Sequence, residues 1–246
     1  MNASNDERTA AAPLALVTGA SSGIGAACAQ ALAADGWSLV LQGRDRERTD
    51  AVADRARVEL DARGLPGRVD TVLADLADAG GVARTAQALA ERPLQALIHA
   101  AGLIRLGSVE EIDADTFDAH LALNVRAPYA LTRALLGALR AARGHVVFVN
   151  SGAGRQAKAG WAAYAASKFA LRALADSLRE EEDALRVTSV YPGRTATPMQ
   201  EAVRAAEGAS YDPAAFVRPE DVAAQVVALL RMAPPSLVSE LSIRPG

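Results

Sequence analysis

Leu14-Ala15-Leu16-Val17-Thr18-Gly19-Ala20-Ser21-Ser22-Gly23-Ile24-Gly25 runs from an apolar strand into a glycine-rich turn, and an alanine-rich helical stretch follows it. The order strand, turn, helix gives each glycine a separate task. Gly19 permits the tight turn, Gly23 lets the backbone approach an anion such as a dinucleotide pyrophosphate, and Gly25 allows the helix to pack closely. The opening turn of the helix offers free N–H groups to the same anion, and Ser21, Ser22 and the Ile24 backbone stand beside them. The spacing is GxxxGxG rather than GxGxxG.

Working outward, apolar runs of strand length alternate with longer helical patterns along the chain, which is the signature of βαβ units around a parallel sheet. Strands are expected at Leu14 to Thr18, Ser38 to Gln42, Arg68 to Ala74, Ala96 to His99, His145 to Asn150, Arg186 to Tyr191 and Leu237 to Ile243. Helices are expected at Gly23 to Asp35, Arg46 to Arg63, Gly80 to Glu91, Ala114 to Ala142, Ala162 to Glu181 and Pro219 to Arg231. The expectation is an α/β doubly wound (Rossmann) fold, a seven-stranded parallel sheet with helices on both faces. Residues 13–246 read as a single domain, preceded by a flexible tail over residues 1–12. In such a sheet ligands bind beyond the carboxyl ends of the strands.

The second strand ends in Val40-Leu41-Gln42-Gly43-Arg44. A site built for NAD(H) places a carboxylate there for the ribose 2′-hydroxyl, whereas Arg44 suits a 2′-phosphate, so NADP(H) is expected rather than NAD(H). Arg44 also heads the charged run Arg44-Asp45-Arg46-Glu47-Arg48, which reads equally as a solvated helix start. Asp75, with Leu76 beside it after the third strand, is placed to meet an adenine amino group or to cap a helix.

Composition narrows the class. The formal net charge is −3 and no Lys/Arg run stands out, which argues against nucleic acid as a partner. No apolar run approaches membrane-spanning length, and the first residues lack a signal-peptide order. Cys28 is the only cysteine, so no internal disulfide can form, and the chain reads as cytoplasmic with Cys28 a buried structural thiol. His99, His120 and His145 show no ligand spacing, and no metal site is expected; His99 and His145 read as satisfied structural residues.

A second motif lies further along. His145-Val-Val-Phe-Val-Asn-Ser151 closes a strand on a hydroxyl, and Tyr164-Ala-Ala-Ser-Lys168 follows on a helix, where positions i and i+4 share one face. A cation beside a phenol favours the phenolate and lowers its pKa. Tyr164 is therefore a candidate general acid/base, with Ser151 as the hydroxyl that holds a substrate oxygen.

These motifs, in this order, resemble the short-chain dehydrogenase/reductase family from about Leu14 to Ile243. The resemblance rests on TGxxxGxG at Thr18 to Gly25, Asp75, Asn124 in Leu123-Asn124-Val125, Ser151, the YxxxK pair Tyr164 and Lys168, and Pro192-Gly193-Arg194-Thr195-Ala196-Thr197. It implies an oxidoreductase that interconverts a small or medium alcohol and its ketone or aldehyde with NADP(H). Asn124, Ser151, Tyr164 and Lys168 would form the catalytic set, with Lys168 holding ribose hydroxyls and Asn124 relaying protons through water. Gly19, Ser21, Ser22, Gly23, Ile24, Gly25, Arg44, Asp75, Leu76, Ala101, Gly102, Pro192, Gly193, Thr195 and Thr197 would join Asn124, Tyr164 and Lys168 around the cofactor. One departure is His99-Ala100-Ala101-Gly102 where the family has NNAG, which removes two amides near the central strands. The resemblance further implies a substrate lid near residues 198–218, with an amphipathic segment at Met199 to Glu207, and a homodimer or homotetramer formed through the helices near Asn124 and Tyr164.

Leu103, Ile104, Arg105, Ala153, Gly154, Arg155, Gln156, Trp161, Arg194 and Met199 are candidate pocket residues; Arg105, Arg155 and Arg194 are either partners for an anionic substrate group or, as is commoner for such arginines, surface residues paired with acids. Two other readings compete. An epimerase or dehydratase of the wider family carries a larger C-terminal substrate domain. A catalytically silent dinucleotide-sensing protein predicts a broken tetrad, whereas Asn124, Ser151, Tyr164 and Lys168 are all present.

Overall fold

Seven parallel strands form one sheet in the order β3-β2-β1-β4-β5-β6-β7 in a computed structural model that describes residues 12–89 and 92–246. They are β1 (Leu14–Thr18), β2 (Ser38–Gly43), β3 (Val69–Leu73), β4 (Ala96–His99), β5 (His145–Val149), β6 (Arg186–Pro192) and β7 (Glu240–Ile243). The connections run outward from β1 in one direction and from β4 in the other, so the strand order reverses between β1 and β4, which pair from Ala15 with Ala96 to Thr18 with His99. That reversal opens a crevice at the carboxyl ends of the strands.

The helices are α1 (Gly23–Ala34), α2 (Arg46–Arg63), α3 (Ala79–Gln87), α4 (Ala114–Leu121), α5 (Ala127–Ala142), α6 (Ala162–Glu181), α7 (Pro198–Ala206) and α8 (Pro219–Arg231). Side chains alternate across each strand, and both sets are apolar. Ala15, Val17, Leu39, Leu41 and Ile98 face Cys28 and Leu32 of α1, Val52 of α2 and Val226 of α8. Leu16, Val40, Leu97, Val146 and Phe148 face Leu131, Leu135 and Leu139 of α5 and Leu171 and Leu178 of α6. Burying one such leucine contributes about 1.5–3 kcal/mol, so both faces must be covered for the sheet to be stable. Cys28 is part of this core, and burial pushes its thiol up to about 12.

Three helices keep the bounds expected from sequence, and their ends show why. Asp45 caps α2 by accepting from Arg48 N at 3.0 Å, and Gly64 ends that helix in the left-handed region at φ 62°. Pro219 opens α8 at its first turn, where the missing N–H is no loss. Elsewhere the expectation needs correction. The single helix expected from Ala114 to Ala142 is interrupted by a π-helical segment, Ala122–Arg126, which separates α4 from α5. The segment expected from Met199 to Glu207 is a full helix, α7, while β7 starts at Glu240 rather than Leu237. The helix expected from Gly80 to Glu91 begins at Ala79 and already ends at Gln87, with Ala88 as its C-cap; nearly all of the N-terminal tail lies outside the described residues.

Two histidines are built into the core. His99 stacks on Phe148 with ring centroids 5.0 Å apart, and its Nε2 meets Thr132 Oγ1 at 2.9 Å, tying β4 to α5. His145 Nε2 meets Thr188 Oγ1 at 2.8 Å, but its Nδ1 is buried without a partner among the described residues, where this histidine is only half satisfied. Burial lowers both imidazoles to about 3, with Arg186 adding to the effect at His145. A base whose folded pKa lies below its unfolded value leaves more protons on the unfolded chain in between. Stability is therefore expected to be full above about pH 6.5 and to fall as the pH drops from there towards 3. Urea unfolding across that range checks this, and a flat profile would refute it.

Candidate active site

A cleft of about 710 Å³ occupies the crevice at the strand ends, and the glycine turn forms one of its walls. Gly19 and Gly23 both have positive φ, 65° and 54°. A Cβ on Gly19 would stand 2.7 Å from the Ala101 backbone, and one on Gly25 would stand 2.3 Å from the Gly19 carbonyl oxygen. The turn is thus closed on itself while its open side, with Ser21, Ser22 and Ile24, lines the cleft.

Gln42 organises this end. Its Oε1 accepts from Gly19 N at 3.1 Å and its Nε2 donates to Ala74 O at 2.8 Å, so one amide straps the glycine turn to the end of β3. Gly43 has no room for a side chain, since a Cβ there would lie 2.1 Å from Thr49 Oγ1. Arg44 is exposed at the cleft edge with Asp75 3.8 Å from its guanidinium. Leu76 lines the cleft, whereas Asp75 stands outside the lining and accepts from Ala77 N at 2.9 Å. The cap of α3 is Asp78, not Asp75.

Beside the missing amides at His99-Ala100, the Thr18 hydroxyl holds the strand ends together. Thr18 Oγ1 accepts from Ala100 N and Ala101 N at 3.1 and 3.2 Å and donates to Ile98 O, so β1 and β4 remain tied at their ends. Ala101 and Gly102 then pass along the cleft wall.

On the opposite wall stand Ser151, Tyr164 and Lys168. Ser151 follows β5, and its Oγ accepts from Ala153 N at 3.2 Å as the cap of a short 3-10 turn. Tyr164 is 7% exposed and Lys168 5%, one turn apart on α6, with the Lys168 Nζ 5.8 Å from the phenol ring and donating to Val149 O at 3.0 Å. The expected downward shift of the phenol is not what this arrangement produces. Burial pushes Tyr164 up, partly offset by its hydrogen bond with Ser151, and burial pushes Lys168 down to about 8. Desolvation of the buried phenol is the larger effect at Tyr164.

Asn124 lies in the π segment, fully buried and behind the cleft rather than in its lining. Its Oδ1 accepts from Leu103 N at 2.9 Å, and its Nδ2 donates to Leu103 O at 3.0 Å and to Ser167 Oγ at 2.9 Å. The side chain is therefore committed to protein partners. Ser167 Oγ in turn donates to Tyr164 O at 2.7 Å, linking the π segment to the helix that carries the phenol.

Around Tyr164 the walls are apolar and aromatic. Ile104 and Trp161 pack beside it, with the Trp161 ring edge-on at 6.0 Å and the His120 ring edge-on at 6.4 Å. The three arginines that could meet an anionic group do not stand free in the cleft. Arg194 forms a two-pronged pair with Glu207 at 2.7 and 2.8 Å, and Arg155 bonds Glu240 and Ser242 while its guanidinium covers the Tyr191 ring at 3.8 Å. Arg105 is exposed and outside the lining, its backbone N donating to His120 Nε2 at 3.0 Å. Lining residues that the sequence motifs did not point to include Gln42, Lys158, Gln200, Val203 and Arg244. Of these only Gln42, at a strand end beside the glycine turn, carried a signal in its position.

A switch-point cleft that joins a pyrophosphate-sized glycine cradle to a buried tyrosine and lysine belongs to an NAD(P)-dependent oxidoreductase. The family model for short chain dehydrogenase matches residues 13–208, and the chain belongs to the short-chain dehydrogenase/reductase family. Among relatives, the sepiapterin reductase of Chlorobaculum tepidum is 31% identical over 242 residues, covering 94% of this chain and 95% of that one. The glycine betaine reductase ATRR of Emericella nidulans is 34% identical over 241 residues, which make up 94% of this chain but only 18% of that much longer protein. A solved metagenomic short-chain oxidoreductase in complex with NADP superposes with a TM-score of 0.78 at 34% identity, covering 95% of this chain and 97% of that one.

Proposed function

We propose that this protein is an NADP(H)-dependent oxidoreductase that interconverts a small or medium-sized alcohol and its ketone or aldehyde, with Tyr164 as general acid/base. The observation that carries the reading is the shared cleft: Ser151, Tyr164 and Lys168 line the same cavity as the Gly19 to Gly25 turn. The nicotinamide, when bound, supplies or accepts the hydride. Tyr164, kept protonated by burial, donates its proton to the carbonyl oxygen as charge builds there. The Ser151 hydroxyl holds that oxygen. Lys168 would hold the ribose hydroxyls and, with a pKa near 8, return a proton to the phenol at little cost. The backbone around Asn124, opened by the π segment, connects this pair to solvent.

The pyrophosphate would rest on Ser21, Ser22 and the Gly23 to Gly25 backbone, and the nicotinamide carboxamide on Thr195 and Thr197, with Pro192 and Gly193 beneath it. NADP(H) is favoured over NAD(H) by the second strand end. Gly43 cannot hold a carboxylate without displacing Thr49, while Arg44 stands exposed at the cleft rim. The NADP-bound relative is consistent with this choice. Arg44→Ala is expected to weaken NADPH binding by about ten- to a hundredfold, the loss of a charge-assisted bond, with little change for NADH. Titration of both cofactors checks it, and equal losses would refute the 2′-phosphate role.

The rest of the reading is one domain over residues 13–246, with α7 and the following turn as a lid, in a cytoplasmic homodimer or homotetramer. Exposed Phe117, Tyr129 and Phe169 on α4, α5 and α6 supply an apolar surface for self-association. No helix among the described residues is long and apolar enough to cross a membrane. A panel of carbonyl compounds followed by NADPH absorbance tests the activity. Tight NADPH binding without turnover of any compound would instead favour a dinucleotide sensor.

A further inference from the structure

His120 is fully buried near the end of α4, beside the catalytic tyrosine, and the reaction read above makes no use of it. Both of its ring nitrogens are engaged: Arg105 N donates to Nε2 at 3.0 Å, and Nδ1 lies 2.8 Å from Thr116 O. A backbone N–H can only donate, so Nε2 is the acceptor and the proton sits on Nδ1, which donates to the carbonyl oxygen one turn back. The ring is thereby fixed as a single tautomer, with its edge against the Tyr164 ring and the centroids 6.4 Å apart.

What this histidine holds separates it from a core residue such as His99. Arg105 belongs to the segment that follows Gly102 along the cleft, and every second backbone N–H of that segment has a partner. Leu103 N donates to Asn124 Oδ1 at 2.9 Å, Arg105 N to His120 Nε2, and Gly107 N to Gly160 O at 2.9 Å. His120 and Asn124 stand four residues apart, about one helical turn, so they grip the segment side by side. Asn124 also donates to Leu103 O at 3.0 Å. Between the two gripped residues lies Ile104, which lines the cleft and packs with Trp161 on the cluster around Tyr164. Asn124 fixes the start of the segment and Gly160 its end. His120 supplies the bond in the middle, next to the residue that meets the phenol.

We propose that His120 is a positioning residue of the substrate wall: by accepting from Arg105 N it fixes Ile104 beside Tyr164, and so sets the shape of the space in which the carbonyl group meets the phenol. The proposal rests on the oxidoreductase reading above. His120 stands outside the cleft lining, so its influence passes through Ile104. A small displacement of that wall alters how well the carbonyl is held against the phenol, whereas the glycine turn is strapped separately by Gln42.

The test compares His120→Phe, which keeps a ring against Tyr164 but removes the acceptor, with His120→Gln, whose amide oxygen can reach the place of Nε2. Phenylalanine should raise the KM of a responsive carbonyl compound by about three- to tenfold, the worth of one hydrogen bond, while kcat and the NADPH Kd change little. Glutamine should recover most of that loss. Amide hydrogen exchange over residues 103–107 reads the same bond without turnover, and it should be faster in the phenylalanine variant than in the wild type or the glutamine variant. An unchanged KM or unchanged exchange in the phenylalanine variant overturns the proposal. Equal losses in both variants also overturn it, because the acceptor then does not matter. So does a fall in NADPH affinity in step with the rise in KM, which would mark a residue of general stability. His120→Asn, whose shorter amide does not reach Arg105 N, takes the place of phenylalanine should that variant not fold. If the wild type binds NADPH and reduces no carbonyl compound, the oxidoreductase reading fails, and exchange still decides whether His120 holds the segment.

Discussion

Tyr164→Phe is expected to reduce carbonyl turnover by more than about a hundredfold while NADPH binding is retained, the usual worth of a positioned general acid. The substitution removes one oxygen and leaves the ring, so the edge-on contacts with Trp161 and His120 persist. Ser151 keeps its contact with Ala153 N and hence its place. What is lost is the proton that must reach the substrate oxygen as hydride reaches carbon. Steady-state reduction of a responsive carbonyl compound, paired with cofactor titration, separates the two effects. Turnover within a few-fold of wild type would mean that another group, or water, supplies the proton.

Gly25→Ala should have the second large effect, and with a sign opposite to helix propensity. In an open helix alanine is favoured over glycine by about 1 kcal/mol. Here the added Cβ would stand 2.3 Å from the Gly19 carbonyl oxygen and 2.8 Å from its carbon, both backbone atoms of the turn itself. Relief requires α1 to move away from the turn, against its packing on α8 and the sheet through Cys28, Ala29 and Leu32. Overpacking of this kind costs about 1–3 kcal/mol, and the shifted turn no longer presents its N–H groups to a pyrophosphate. Urea unfolding should show a destabilised variant and NADPH titration a severe loss of affinity. A variant as stable as wild type with unchanged binding would show that the turn is not the cofactor cradle.

The elements that sequence revealed most fully are those whose ends carry their own chemistry. Arg46–Arg63 is bounded by the Asp45 cap and by Gly64, and both signals are local. The parallel sheet was legible because both faces of its strands are apolar, and the glycine turn because its spacing follows a strand and opens a helix. Features that depend on distant partners were not legible. The π segment in Ala122–Arg126 has only weak marks in sequence, the poor helix former Asn124 inside it and Pro128 just beyond it, and neither by itself separates an interrupted helix from a continuous one. That Arg194 and Arg155 pair with acids is the commoner expectation for such arginines, but which acids could not be read, because Glu207 and Glu240 are 13 and 85 residues away. The upward direction of the Tyr164 shift has a related cause. A neighbouring charge can be read from spacing, whereas the depth of burial that overrides it comes only from tertiary packing.

The strap formed by Gln42 bears on how this protein's cofactor choice could change, by selection or by engineering. The obvious route to NAD(H) is to install a carboxylate at the end of β2, and both residues available there are already occupied with holding the fold together. An aspartate at 42 is shorter by a methylene and has no N–H to give Ala74 O, so the turn and β3 would separate. One at 43 meets Thr49, whose hydroxyl donates to Asp45 O at 2.6 Å in the first turn of α2. Conversion therefore calls for at least paired changes, such as a smaller residue at 49 together with the carboxylate at 43, and single substitutions would pass through a less stable protein first. Preference at this position is guarded by architecture as well as by the charge of Arg44.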